Sequence, residues 1–162
     1  MALDIMGVSF DFVASIVPDH NPDGTVKEFM RQDEYCNVRH LALNAHGAGP
    51  FCHFRVAADV PFAGLYALTV NGAIMYIGKT ERLSRRFGEN YGNISPSDCF
   101  KKVGQLTNCF VNGRILEHAK QSHRIQLWFC QIGASAAERE RLEAQLIASE
   151  NPPWNGRLRR TA

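Results

Sequence analysis

The sequence lacks any run of about 18 apolar residues, so no stretch of it is long enough to cross a bilayer as a helix. It has no CxxC pair, and its five cysteines, at 36, 52, 99, 109 and 130, are odd in number. That argues against a complete disulfide framework and for reduced thiols in a reducing compartment. The opening stretch, MALDIMGVSFDF, carries acidic residues where a secretory leader would be basic, so a cytoplasmic location is expected. There is no internal repeat, low-complexity tract or long linker, which leaves 162 residues for one compact domain or one domain with an appendage. Charge is missing altogether from residues 61–78.

The charge that is present is unevenly placed. The chain carries 18 Lys and Arg against 16 Asp and Glu, a formal net charge of +2. Residues 1–60 are acidic overall, whereas residues 79–124 hold 9 Lys and Arg against 4 Asp and Glu. The basic block starts where the uncharged stretch ends. Such asymmetry hints at a polyanionic partner, although a solvated helix face would read the same way on charge alone.

Periodicity divides the chain. Residues 7–17, GVSFDFVASIV, alternate as a strand, with Val8, Phe10, Phe12, Ala14 and Ile16 on one face. Residues 25–43 are ambiguous between helix and strand, and 51–58 could form another strand. From residue 64 the pattern sharpens. GLYALTV and AIMYIG read as two strands joined by Asn71-Gly72, a strong hairpin signal. Thr80 is placed to cap a helix over about 81–91, with Leu83, Phe87 and Tyr91 as its buried stripe and Arg82, Arg86 and Asn90 on another face. Residues 92–110 read as a long connection, 113–123 as a second helix and 124–132 as a third strand. Ser135 and Glu138 make a capping box for a helix to about 149, which Asn151-Pro152-Pro153 ends. The class is α+β: a small antiparallel three-stranded sheet flanked by helices over 61–162, with residues 1–60 as an N-terminal extension packed on the core.

The residues around the hairpin carry a pattern of their own. Gly64-Leu65-Tyr66 is followed ten residues later by Tyr76-Ile77-Gly78, and Arg86 comes eight residues after Gly78. Glu143 lies in RLEAQLIASE and Asn155 in NPPWN, twelve residues apart. This set resembles the signature of the GIY-YIG nuclease superfamily over about residues 63–156. The resemblance implies a metal-dependent DNA endonuclease. Glu143 would hold Mg²⁺ or Mn²⁺, Tyr66 would take the proton of the attacking water, Tyr76 would support the water or phosphate, and Asn155 would fix the backbone or Tyr66. Some members of that superfamily have a His four residues after the Arg. Asn90 stands there here and cannot act as a general acid, which leaves that role empty or to Lys79, Tyr76 or metal-bound water.

The chemistry suits these residue types. Phosphodiester hydrolysis needs an activated water, charge neutralisation at phosphorus, help for the leaving oxygen and fixed geometry. A carboxylate with a hard divalent cation supplies a Lewis acid, and Glu143 as the one strong carboxylate candidate suggests a one-metal site. Arg86 offers a fork of donors matched to phosphate oxygens. A phenol near ~10 is a poor base at neutral pH, so Lys79 or Arg82 is expected to depress it. Lys79, Arg82 and Arg85, and Lys101, Lys102 and Asn108 of the 92–110 connection, are candidate substrate contacts. Some sequence preference is expected, and a small recognition surface suits a single strand or a short site, cut by a monomer or homodimer. A dimeric restriction-type enzyme on duplex DNA and a non-catalytic nucleic-acid-binding module are the alternatives. Cys36, His40, His46, Cys52 and His53 could in principle bind Zn²⁺, but their spacing matches no paired-knuckle pattern, and they read as core or loop residues. Trp154 reads as core. His118 and His123 could approach the site but read as surface or helix-end residues.

Overall fold

A computed structural model describes residues 1–161. Its centre is one antiparallel sheet of five strands: β1 (Ala2–Ile5), β2 (Val8–Ser15), β3 (Gly64–Val70), β4 (Ala73–Thr80) and β5 (Ile125–Gln131). They lie in the order β1-β2-β5-β3-β4. The α+β class is as expected, but the sheet has five strands rather than three. The addition comes from residues 1–15, which form a hairpin and pair β2 with β5.

Both hairpins turn on two residues with positive φ. Asn71 and Gly72 have φ 50° and 87°, and Met6 and Gly7 have 52° and 78°. This is the geometry that matches the right-handed twist of the flanking strands. Asn adopts it readily and Met does not, which is why only the second hairpin is visible in the sequence. The first is held by the Gly7 N–H, which donates to Asp4 Oδ1 at 3.0 Å. The expected face of β2 is also interrupted. Its register with β5 shifts between Phe12 and Ala14, so Phe10 packs on one side of the sheet and Val13 and Ile16 on the other. The extended residues 51–58 form no strand, although Phe51, Cys52 and Phe54 are buried.

Four α-helical segments are described: α1 (Leu83–Arg85), α2 (Leu106–Lys120), α3 (Ala136–Glu150) and α4 (Pro153–Thr161). One core layer places Leu65, Ala67, Ile77 and Trp128 against Leu146 and Ile147 of α3. The other places Tyr66, Leu68, Tyr76 and Phe129 against Leu83, Phe87, Tyr91, Phe110, Ile115 and Trp154. The Ser135 capping box of α3 is formed in both directions, and Trp154 is fully buried.

Two helices depart from expectation. The second begins at Leu106 rather than near 113, inside the segment read as a connection. Asn108 and Asn112 are indifferent helix formers, but both are buried with their amides bonded: Asn108 to Asp98 at 3.1 Å, and Asn112 to the carbonyls of Cys52 and Tyr91 at 2.8 and 2.7 Å. Long-range partners outweigh local preference there. The first helix starts at Leu83, not 81, and after one turn widens into a π-helical turn over Arg86–Asn90. The Thr80 hydroxyl accepts from the Arg82 N–H at 3.1 Å, which makes a turn leaving the strand rather than a helix cap.

β4 is an edge strand, and an open edge needs protection. Asn155 supplies it. Its Oδ1 accepts from the Ile77 N–H at 2.9 Å and its Nδ2 donates to the Ile77 carbonyl at 2.9 Å. The carboxamide thus stands in for the peptide group of a missing strand. Each bond contributes on the order of 1 kcal/mol, and together they dock the start of α4 beside Tyr76 and Gly78.

Candidate active site

Tyr66 lies on the central strand β3, opposite Gly78 of β4 and Phe129 of β5. Tyr76 faces Leu68, one pair further along on the same side of the sheet, and the two phenol rings are 6.1 Å apart. A bulge in β4 next to this pair keeps Tyr76 on that side. The glycine of Tyr-Ile-Gly has a steric reason. A Cβ on Gly78 would overlap the Tyr66 ring, and Phe87 and Tyr91 pack edge-on against that ring and prevent retreat. Gly78→Ala is therefore expected to destabilise the fold by about 2–3 kcal/mol, read as a Tm lower by about 5–10 °C. An unchanged Tm would show that Tyr66 does not rest on that backbone.

The phenols do not stand open at the end of the sheet. Tyr66 is 1% exposed and Tyr76 6%. The Tyr66 hydroxyl is 2.7 Å from that of Tyr91, which is also buried. Burial raises the pKa of Tyr66 and Tyr76 well above the usual phenol value and raises that of Tyr91. The cation that acts in the opposite direction on all three is Arg86, not Lys79 or Arg82 as the sequence suggests. All three phenols thus hold their protons at neutral pH.

Tyr91 is the site residue that sequence reasoning missed. It lies five residues after Arg86, and its N–H donates to the Arg86 carbonyl at 2.9 Å across the π-helical turn. A π turn stacks residue i+5, rather than i+4, above residue i. Tyr91 therefore takes the place that Asn90 would have in a regular helix, and the Arg86 guanidinium lies 5.6 Å from its ring centroid. Asn112 holds the Tyr91 carbonyl from α2. The signal in the sequence was a tyrosine one residue past the expected position.

Arg86 has one further property. Its Nε is buried, and among the described residues it finds no hydrogen-bond acceptor. Such a donor is suited to an oxygen acceptor, and a charged one would make the stronger bond.

Glu143 reaches this place from the other layer. It projects from α3 beside the β4 edge, and its charge raises the pKa of both Tyr76 and Tyr91. Its own carboxyl is pushed up by burial, against which the nearby Lys79 pulls it down. Lys79 Nζ is 3.7 Å from Glu143 Oε2 and 3.2 Å from Glu140 Oε1. Arg139 does not pair with Glu143. It turns to the Ala134 carbonyl and to Glu81 Oε1, the latter at 2.6 Å. A partly desolvated carboxylate beside β4 is a hard-oxygen donor that suits Mg²⁺ or Mn²⁺, which take few protein carboxylates and complete their shell with water and phosphate. Among the described residues, no three His, Cys, Asp or Glu side chains form a metal cage.

The candidate substrate contacts divide. Arg82 and Arg85 are exposed after β4, and Arg85 pairs with Glu89 at 3.3 Å. Lys101 and Lys102 are exposed in the turn before α2, where the Lys101 N–H bonds the Ala42 carbonyl at 2.9 Å. Asn108 is 2% exposed, with its amide on Asp98, so it offers nothing to a substrate. The Cys/His set of residues 36–53 is dispersed. Cys36 is exposed, Cys52 is buried with its thiol pushed up to about 12, His46 packs edge-on to Phe110, and His53 bonds Asp19 at 2.8 Å. His118 and His123 pair with each other at 2.9 Å, and His118 packs on Trp154.

No protein-family model matches the chain, and no curated protein matches it. Among solved structures, a point mutant of bacteriophage T4 EndoII superposes with a TM-score of 0.48 at 20% identity, over 70% of this chain and 86% of that one. A likeness at that level establishes neither family nor activity.

Proposed function

We propose that this chain is a metal-dependent DNA endonuclease of GIY-YIG type, with Tyr66, Tyr76, Arg86, Glu143 and Asn155 as its site. The observation that carries the reading is the buried, unsatisfied Arg86 Nε beside the phenols, in electrostatic reach of the same two tyrosines as Glu143. A phosphate oxygen would complete that donor, and a guanidinium held in place by packing costs no reorganisation when charge develops on the phosphoryl group. Glu143 would hold Mg²⁺ or Mn²⁺, which when bound supplies a Lewis acid for phosphate and water.

The chain's own residues do the rest. Arg86 neutralises charge and lowers the phenol pKa values. Tyr66, whose hydroxyl bonds Tyr91, is the proton acceptor, and it serves as one only when cationic charge offsets its burial. Tyr76, the most exposed of the three, orients water or phosphate. Asn155 holds the β4 edge so that Tyr76 stays in register. Lys79, Arg82, Arg85, Lys101 and Lys102 contact the phosphate backbone.

The test is a digest panel in which one sequence library is offered as single-stranded DNA, duplex DNA and RNA, with Mg²⁺, Mn²⁺ or EDTA. Internal cleavage of DNA is expected with either metal and none in EDTA. Binding without cutting under every condition would replace the enzyme with a binding module.

A further inference from the structure

Two carboxylates of α3, Glu140 and Glu143, converge on the single ammonium of Lys79, at 3.2 and 3.7 Å. They stand three residues apart on one helix face, where like charges repel unless a cation lies between them. The side chain of Glu143 is 19% exposed and that of Glu140 70%, so one oxygen donor is inward and the other faces water. Lys79 comes from β4, two residues past the Ile77 that Asn155 clamps, and its side chain is 39% exposed. It therefore has room to leave on its flexible stem.

Resting on the nuclease reading above, we propose that Lys79 is the resident counter-ion of a cation site that Glu140 completes, and that a divalent ion displaces the ammonium and frees it for the substrate phosphate. An ammonium and a divalent cation close to the same Glu143 oxygens repel each other, so binding of the ion favours departure of the ammonium. Glu140, at the rim, reaches the ion through water, in keeping with an ion that sheds its hydration reluctantly. Lys79 then serves twice. Before the ion arrives it compensates the desolvated Glu143, and afterwards it is a positive group next to Arg82 and Arg85. The two carboxylates are thus partly neutralised by the ammonium without metal and fully by a divalent ion with it.

The experiment is Mn²⁺ binding to the full chain without nucleic acid, followed by the electron paramagnetic resonance signal of free Mn²⁺. Lys79→Met, which keeps much of the stem, should bind Mn²⁺ about fivefold tighter than wild type, and Glu140→Gln about threefold more weakly. A second measurement needs no variant. Acylation of the Lys79 amine, read by mass spectrometry, should rise severalfold when Mn²⁺ is added to wild type. If wild type cuts DNA and binds Mn²⁺ but Lys79→Met binds it no tighter, the counter-ion assignment falls and the nuclease reading stands. Unchanged acylation of Lys79 on Mn²⁺ binding overturns the assignment in the same way. If wild type neither binds Mn²⁺ nor cuts, both fall.

Discussion

A Glu143→Ala protein is expected to cut DNA at least ~10³-fold more slowly than wild type while binding uncut DNA in EDTA as before. The loss is large because Glu143 is the carboxylate that would hold the divalent ion, and its charge also acts on Tyr76 and Tyr91. No effect on folding should obscure it. The carboxyl is pushed up by burial and pulled down by Lys79, so its removal relieves a desolvation cost and forfeits an ion pair, and Tm should change little. Arg139 keeps its bonds to Ala134 and Glu81 in the variant, so the first turns of α3 stay anchored. The measurement is a paired assay: cleavage with Mg²⁺ and filter binding with EDTA. Cutting at the wild-type rate would remove Glu143 from the mechanism. Loss of binding together with cutting would assign the residue to docking instead.

Tyr66→Phe should slow turnover by ~10² or more and leave the fold intact. The ring remains, so the packing of Phe87 and Tyr91 around it is preserved, and only the 2.7 Å bond to the Tyr91 hydroxyl is lost. That bond contributes on the order of 1 kcal/mol to stability, too little to unfold the domain. Tyr91→Phe breaks the same bond from the other side. If the hydroxyls work as a unit, the two variants should lose similar amounts and the double variant little more. Wild-type turnover by Tyr66→Phe would refute its role as proton acceptor. A loss confined to Tyr91→Phe would move that role to the residue reached by the π-helical turn. Single-turnover cleavage at saturating DNA separates these cases from a change in binding.

The two predictions draw differently on sequence and structure. Glu143 and Tyr66 are both legible as candidates because the ordered set they form with Gly78, Arg86 and Asn155 resembles the GIY-YIG signature. Tyr91 was not, because a helix is read at i+4 and the backbone here closes at i+5. The burial of the phenols was also hidden. Alternation says that Tyr66 and Tyr76 share a face, not whether water reaches it. The structure gives that face to Phe87, Tyr91 and Trp154, and the phenol pKa values rise rather than fall. Asn108 failed as a substrate contact for a related reason, since a polar residue in a polar stretch gives no sign that Asp98 already holds it.

By itself the sequence determined the β3–β4 hairpin, the third strand, the capped α3 and the α+β class. Each depends on interactions between near neighbours: the left-handed Asn71-Gly72 pair, period-two alternation, and a Ser–Glu box closed over three residues. Only the tertiary structure decided that residues 1–15 extend the same sheet, that α2 starts at Leu106, that Asn155 seals the β4 edge through Ile77, and that Lys79 faces Glu143. Those outcomes rest on contacts between residues tens of positions apart. Their energies depend on which donors and acceptors remain unmet once the chain has packed, and no local pattern records that.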